Sequence, residues 1–533
     1  MSRGFEKRVV IAWLALAACA FVALRAPLLA LPLERDEGEY AYIAWRMQEG
    51  DVPYRDAFDQ KPPGTFAAYW LAFETLGRNA RSPRLLMHLW SLATAAVLFL
   101  LVRNLVGRLA GAGAVLVFAA LSADPRVGAA SANTEAFLLL PMVAALACVL
   151  CSERRESAAS WLAAGALSAL AVAFKQVAVT NAAYVCVLAL LLPGHGPRWR
   201  RAAALAAGAT LVVAPLIGAF VAAGAGEAFV DAVVVHNFEY ASRRSFAEGL
   251  AALRHGLASQ APSFALAWLL AGWALLCPGL AGRRSWGLLG GWLLASSAGV
   301  AIGWQFRPHY FVQALPALAA CAGVALASAV QALHQRARGA ALGAALALGL
   351  ALVALPALAN RAVLTAATPE AAARRLWGMN PFAEAAAIAR HIARTSSADE
   401  SVFVVGSEPQ IFFYAERRSA TRYIFFYPLT GGYPAAAGRQ REAMAEVVAA
   451  RPRYVVWVHV PTSLLVSERT ERWIFDESER LLAQGYGLEL VAHPDESGED
   501  YVLARGQGAL AWVGEARESL DVTPWVAVYR RAR

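Results

Sequence analysis

The sequence predicts a polytopic α-helical membrane protein of about eleven spans, followed by an α/β domain on the outer side. Three observations carry that prediction. Hydrophobic residues make up 58% of the 533 residues and charged residues only 16%, with a mean hydropathy of +0.45, which excludes a disordered chain and a wholly soluble enzyme. Long apolar runs recur up to residue 359, and beyond it they stop, leaving 20 basic against 21 acidic residues. The net charge of +9 follows membrane topology rather than a nucleic-acid partner, and none is expected.

The first apolar run, residues 9–33, follows Arg3, Lys7 and Arg8. It exceeds the apolar core of a signal peptide and shows no small-residue cleavage site before Glu34, so an uncleaved helix with a cytoplasmic basic end is expected. Runs at 85–102, 109–122, 136–151, 161–174, 177–193, 202–224, 262–281, 287–303, 311–333 and 340–359 bring the count to eleven. Alternating sides then puts Arg103/Arg108, Arg154/Arg155, Arg198/Arg200/Arg201, Arg283/Arg284 and Arg336/Arg338 in successive inner loops. Omitting one span would send the later arginines to the wrong side. An odd count leaves the C-terminus outside. The six cysteines lie in apolar stretches; the one CxxC spacing, Cys148 to Cys151, stands inside such a run with no second pair to make a metal knuckle, and all six read as small core residues.

Two outer connections are long, 34–84 and 225–261, and polar residues gather at the outer helix ends, which suggests one outward-facing cavity. Residues 1–359 form the membrane domain in this reading, and 360–533 the outer one. The outer domain alternates a helix at 380–394, strands at 402–405 and 423–426, a helix at 439–450, a strand at 454–458, a helix at 471–483 and strands at 488–491 and 501–503. Val405-Gly406-Ser407 lacks the glycine spacing of a phosphate loop, so an accessory role is expected for this domain.

The chemistry-bearing residues begin directly after the first span, in Glu34-Arg35-Asp36-Glu37-Gly38-Glu39-Tyr40. Tyr40, Ile43, Ala44 and Met47 fall at i, i+3, i+4 and i+7, the pattern of a helix lying along the membrane surface. Asp36 then stands at its start, facing the outer mouth of the bundle. The competing reading makes Asp36 and Glu39 a capping box. Further on, Asp59-Gln60-Lys61-Pro62-Pro63-Gly64 precedes another apolar segment. Its two prolines impose an extended turn that presents Lys61 at the interface, where an ammonium suits a lipid phosphate gaining charge as it leaves. A snorkelling interfacial lysine is the alternative. Only Lys7, Lys61 and Lys175 are lysines among 48 basic residues, so each survivor is informative.

An Asp-Glu pair after the first membrane helix, an amphipathic helix and then a Lys-Pro-Pro turn resemble the C-type (GT-C) membrane glycosyltransferases. Bacterial protein O-mannosyltransferases and lipid A aminoarabinose transferases are the nearest in kind. The resemblance covers roughly residues 1–350. It implies Asp36 as catalytic base with Glu37 beside it, and Lys61 as a contact of a polyprenyl-phosphate donor. Related sequences often carry an acidic residue directly before the lysine; here Gln60 stands there, with Asp59 one place earlier. Glu135, in Asn133-Thr134-Glu135, matches a second acidic motif and is expected either to hold a divalent metal ion or to orient the acceptor; first-turn placement on a capped helix is its ordinary alternative.

Lys175, at the outer end of two apolar spans, needs a partner, and a donor phosphate is one. Arg307, His309 and Tyr310 on the last outer loop resemble a basic and aromatic element near the lipid phosphate, against an interfacial aromatic belt as the plain alternative. His236, Arg243 and Arg244 are weaker candidates in a loop placed to gate the cavity. The implied reaction moves a sugar from a polyprenyl-phosphate donor to a glycan, lipid or protein acceptor at the outer face of the bacterial cytoplasmic membrane. One base and no second nucleophile predict inversion. A multi-pass transporter of a lipid or envelope precursor is the main competitor, though no repeat of the Asp-Glu and Lys-Pro-Pro unit is seen. A non-catalytic membrane partner is the third reading.

Overall fold

The computed structural model describes residues 2–155, 157–193, 197–241, 245–515 and 523–532. Among them, seven helices are long and apolar enough to cross a membrane and four shorter helices are apolar. Each overlaps one of the eleven runs read from the sequence. In chain order the helices are α1 (Arg3–Arg25), α2 (Arg35–Gln48), α3 (Gly64–Leu76), α4 (Ser82–Leu105), α5 (Arg108–Leu121), α6 (Thr134–Arg155), α7 (Ala158–Phe174) and α8 (Val179–Leu191). They continue as α9 (Arg198–Ala222), α10 (Gly226–Val230), α11 (His236–Ala241), α12 (Phe246–Leu276), α13 (Arg283–Ala301), α14 (Leu315–Arg336) and α15 (Arg338–Ala359). Exposed leucines such as Leu211, Leu269 and Leu294 stud α9, α12 and α13, which in a bundle of this composition is the lipid-facing surface.

Small residues let the helices approach closely. A Cβ added at Gly165 of α7 would lie 2.0 Å from the Leu205 carbonyl oxygen of α9, and one at Gly208 of α9 would lie 1.9 Å from that of Leu162. Each glycine therefore admits the backbone opposite it, the usual means of packing helices where lipid offers no hydrophobic drive.

After α15 the chain forms a five-stranded sheet: β1 (Val402–Val405), β2 (Tyr454–His459), β3 (Tyr486–Pro494), β4 (Tyr501–Arg505) and β5 (Trp525–Arg531), in the order β1-β2-β5-β3-β4. Only β1 and β2 pair in parallel; β5 runs antiparallel between β2 and β3. Two expectations need correction. Residues 423–426 are not a strand, because their buried aromatics fill space beside β1 and the Phe426 N–H donates to Ser407 Oγ at 3.0 Å. The central strand is instead β5, which the sequence reading omitted. The chain is a polytopic α-helical membrane protein with an extracytoplasmic sheet domain, and the odd span count sets that domain on the face opposite the N-terminus.

The sheet domain docks on α2. Arg35 donates to the Ser407 carbonyl and to Glu408 Oε1, both at 2.5 Å. Tyr42 Oη accepts the Ser419 N–H at 2.9 Å, and the Phe58 N–H donates to the Arg422 carbonyl at 2.8 Å. Contact is closest at Gly38, where an added Cβ would sit 2.6 Å from the Gln410 nitrogen. Gly38→Ala is therefore expected to destabilise the protein by about 1–3 kcal/mol through overpacking against backbone, read as a lower thermal midpoint in detergent; an unchanged midpoint would show that the docking yields.

Candidate active site

The start of α2 decides what Asp36 is free to do. Glu34 is the N-cap: its carboxylate accepts the N–H groups of Asp36 and Glu37, while Glu37 reaches back to the Glu34 N–H, completing a capping box. The expected alternative pair, Asp36 and Glu39, does not form the cap. Asp36 is left in the first turn with 27% of its side chain exposed, lining a cavity of about 930 Å³ between the bundle and the sheet domain.

Lys61 faces it, with Nζ 4.0 Å from Asp36 Oδ2 and 5.8 Å from the centre of the Tyr40 ring. Burial acts to raise the Asp36 carboxyl, but Lys61, His309 and Arg307 outweigh it and hold the group below the ordinary aspartate range. Burial acts against the Lys61 ammonium too, and is overcome by Asp36, Asp59 and Glu39, so the lysine stays charged. The turn holding Lys61 is fixed from three sides. Asp59 Oδ1 accepts the Lys61 N–H at 2.8 Å, Tyr54 Oη donates to the Lys61 carbonyl at 2.8 Å, and the Gln60 carbonyl accepts Asn237 Nδ2 at 2.6 Å and Gln176 Nε2 at 3.2 Å.

The structure brings Asp36, Lys61, Glu135, Lys175, Arg307, His309 and Tyr310 to this one cavity. Glu37 is the exception. Expected as a second catalytic carboxylate, it is fully buried, accepts Arg84 Nε at 2.8 Å and the Ala132 N–H at 2.8 Å, and forms an ion pair with Arg84. It ties α2 to α4 and to the loop before α6. Glu37→Ala should strand a buried guanidinium and cost about 3–5 kcal/mol; a melting curve checks this, and a near-native midpoint would show that Arg84 finds water instead.

Glu135 and Lys175 are each other's partners in an ion pair, with Thr134 Oγ1 donating to Glu135 at 2.8 Å, His309 Nε2 at 3.8 Å and the Tyr310 ring 3.7 Å from the lysine. A divalent metal ion does not fit these donors. Glu135 already carries an ammonium, Asp36 is ringed by cations, and among the described residues no group of three or more His, Cys, Asp or Glu is placed to hold an ion. His236 does not line the cavity: Arg439 of the sheet domain bonds its Nδ1 at 2.9 Å, while Asp231 accepts from the same guanidinium at 3.1 Å. Arg243 and Arg244 lie outside the described residues.

Sequence reasoning passed over several walls of the cavity. Tyr240, from α11, lines the cavity together with Arg307 and Tyr310. Glu39 lines the floor, and Phe425, Tyr427, Tyr433 and Arg469 close the roof from the sheet domain. Tyr240 was signalled only by its place in a moderately long outer loop, and the roof residues carried no signal, since nothing local aims a soluble domain at a membrane cavity.

The same architecture occurs in solved membrane transferases. ArnT from Cupriavidus metallidurans bound to undecaprenyl phosphate superposes with a TM-score of 0.60 at 19% identity, over 96% of this chain and 97% of that one. The archaeal oligosaccharyltransferase AglB from Archaeoglobus fulgidus, in complex with an inhibitory peptide and a dolichol-phosphate, gives 0.53 at 13% identity, over 94% and 75%. The chain has the GT-C fold. Within it, residues 60–221 match the family described as dolichyl-phosphate-mannose-protein mannosyltransferase, a stretch that begins one residue before Lys61. None of the curated proteins compared with the chain matches it. In this GT-C chain the cavity lies where the first outer loop, the outer helix ends and the sheet domain meet.

Proposed function

We propose that the protein transfers a sugar from a polyprenyl-phosphate donor to an acceptor hydroxyl at the outer face of a bacterial cytoplasmic membrane. The observation that carries this reading is the opposed pair in the cavity: a carboxylate kept ionised at Asp36 and a fixed ammonium at Lys61, 4.0 Å apart. Asp36 takes the acceptor proton, the acceptor oxygen bonds to the anomeric carbon, and the bond from that carbon to the phosphate oxygen breaks with its electron pair on the leaving phosphate. Lys61 and Arg307 stabilise the charge gathered there. Two related folds hold undecaprenyl phosphate or dolichol-phosphate, which favours a polyprenyl phosphate as the carrier. Glu37 is occupied by Arg84, so with Asp36 acting as base rather than nucleophile the displacement is direct and inverts the anomeric centre. Residues 1–359 act as the transferase domain in this reading, and 360–533 roof its cavity.

The test is transfer by purified protein in detergent or nanodiscs, supplied with labelled polyprenyl-phosphate sugars and fractionated envelope acceptors. Label is expected to move from the carrier to one acceptor fraction with inverted linkage. Movement of intact carrier across a liposome bilayer without transfer would instead establish the transporter.

A further inference from the structure

Besides docking on α2, the sheet domain grips the outer connection that follows α9. Arg439, from the sheet-domain helix Ala436–Ala450, is 5% exposed. Its Nη2 donates to both carboxylate oxygens of Asp231, at 3.1 and 3.2 Å, and its Nη1 donates to His236 Nδ1 at 2.9 Å. These partners are the first residue of the π turn Asp231–Val235 and the first residue of α11. One planar fork therefore spans the turn from end to end, which a single ammonium could not do. A guanidinium only donates, so the Nδ1 it meets is unprotonated and His236 serves as an acceptor.

The clamped segment bears directly on the turn that carries Lys61. Asn237, next after His236, donates from Nδ2 to the Gln60 carbonyl at 2.6 Å. Gln176 bonds the same carbonyl at 3.2 Å and also reaches the Val233 carbonyl, inside the π turn, at 3.4 Å. Arg439 and His236 meet the first loop a second time, at Phe58. Cζ of Arg439 lies 5.2 Å from the centre of the Phe58 ring, and the His236 ring meets that phenyl edge-on at 5.5 Å. Phe58 is buried one residue before Asp59, which accepts the Lys61 N–H at 2.8 Å. Residues 58 and 60 are thus both held by groups that Arg439 touches or clamps. Pro62 and Pro63 stiffen the chain on the far side of Lys61, so a shift at 58–60 carries the lysine with it.

We propose that Arg439 is a positioning residue through which the sheet domain sets the place of Lys61, by way of His236, Asn237 and Phe58. This rests on the transferase reading of the cavity. A lysine ends in a compact charge on a flexible stem, so its reach toward a phosphate depends on where its backbone is fixed. The bundle supplies Asp59, Tyr54 and Gln176 for that purpose. Asn237 is held in turn from the sheet domain. The domain that roofs the cavity thereby also takes part in building its floor, and Arg439 contributes without touching the donor.

Arg439→Met keeps the stem and removes the fork. It is expected to weaken binding of a polyprenyl phosphate by about three- to tenfold and to leave the acceptor KM unchanged. In a Lys61→Ala background the same substitution should cost no further donor affinity, because a residue acting through Lys61 has nothing left to place. A contact that only ties the two domains together would cost the same in both backgrounds. His236→Asn offers an acceptor oxygen near the place of Nδ1 and should retain most of the donor affinity, whereas His236→Phe, a ring with no acceptor, should match Arg439→Met. Without any substrate, amide exchange over residues 58–61 is expected to quicken in Arg439→Met while β1 and β2 stay protected. Equal losses in the two backgrounds, asparagine as damaging as phenylalanine at 236, or unchanged exchange over 58–61 would overturn the proposal. Should Arg439→Met fail to fold, the two His236 variants, each with and without Lys61→Ala, decide. Quickened exchange in a protein that binds no polyprenyl phosphate would sink the transferase reading and leave the clamp standing.

Discussion

Asp36→Asn is expected to lower transfer by about 10²–10⁴-fold, the range general-base catalysis supplies, while the protein folds and binds donor nearly as before. The structure makes this a clean substitution. The helix start is held by Glu34 and Glu37, so asparagine at 36 removes no capping bond. Loss of a first-turn negative charge costs only about 0.3–1 kcal/mol of helix stabilisation. The Lys61 backbone stays fixed by Asp59 and Tyr54, so the donor phosphate still meets a placed cation. Single-turnover transfer, donor titration and a melting curve on one preparation separate the three quantities. Activity within about threefold of wild type would mean that less than about 1 kcal/mol of the barrier depends on the carboxylate, and Asp36 would then be no base.

The site was legible in the sequence to the extent that its residues stand out against their surroundings. Lysine is so rare in this chain that Lys61 and Lys175 announce themselves, and both line the cavity. The eleven apolar runs were equally plain, because a lipid-facing helix has to be apolar over its whole length. The local pairing at the start of α2 was not legible. Glu34 with Glu37 and Asp36 with Glu39 share one spacing, and what distinguishes them is Arg84, 47 residues beyond Glu37, which joins Glu37 in the buried tie to α4.

The sheet domain shows a further limit. Trp525–Arg531 carries two arginines and has no hairpin partner nearby, yet it is the central strand, because its pairing to β2 and β3 is settled by register over long separations. Residues 423–426 look more like a strand than β5 does, but their side chains fill space on several sides at once and their backbone turns into the short helix Tyr427–Thr430. Periodicity reports burial on one face, and it fails where burial is on every face.

Lys61→Ala is expected to weaken donor binding by about tenfold or more, the affinity equivalent of about 1.4 kcal/mol, and to lower turnover as well, since the departing phosphate loses its cation. A second consequence follows from the charges around it. Lys61 is the foremost cation holding the Asp36 carboxyl below its ordinary value, against burial that pushes it up. Without it the Asp36 pKa rises, and because a base works only when deprotonated, the acid-side fall of the rate moves to higher pH. Lys61→Arg restores the charge, so the acid limb should return to its wild-type position. Donor affinity should recover only in part, because a longer planar guanidinium directs its hydrogen bonds differently from a compact ammonium held in a rigid turn. A snorkelling lysine predicts another pattern: arginine substitutes fully, alanine reduces stability, and neither shifts the pH profile. Donor titrations and kcat/KM against pH on equal amounts of folded wild type, alanine and arginine variants distinguish the two, and an alanine variant with unchanged donor affinity and an unmoved acid limb would remove Lys61 from the site.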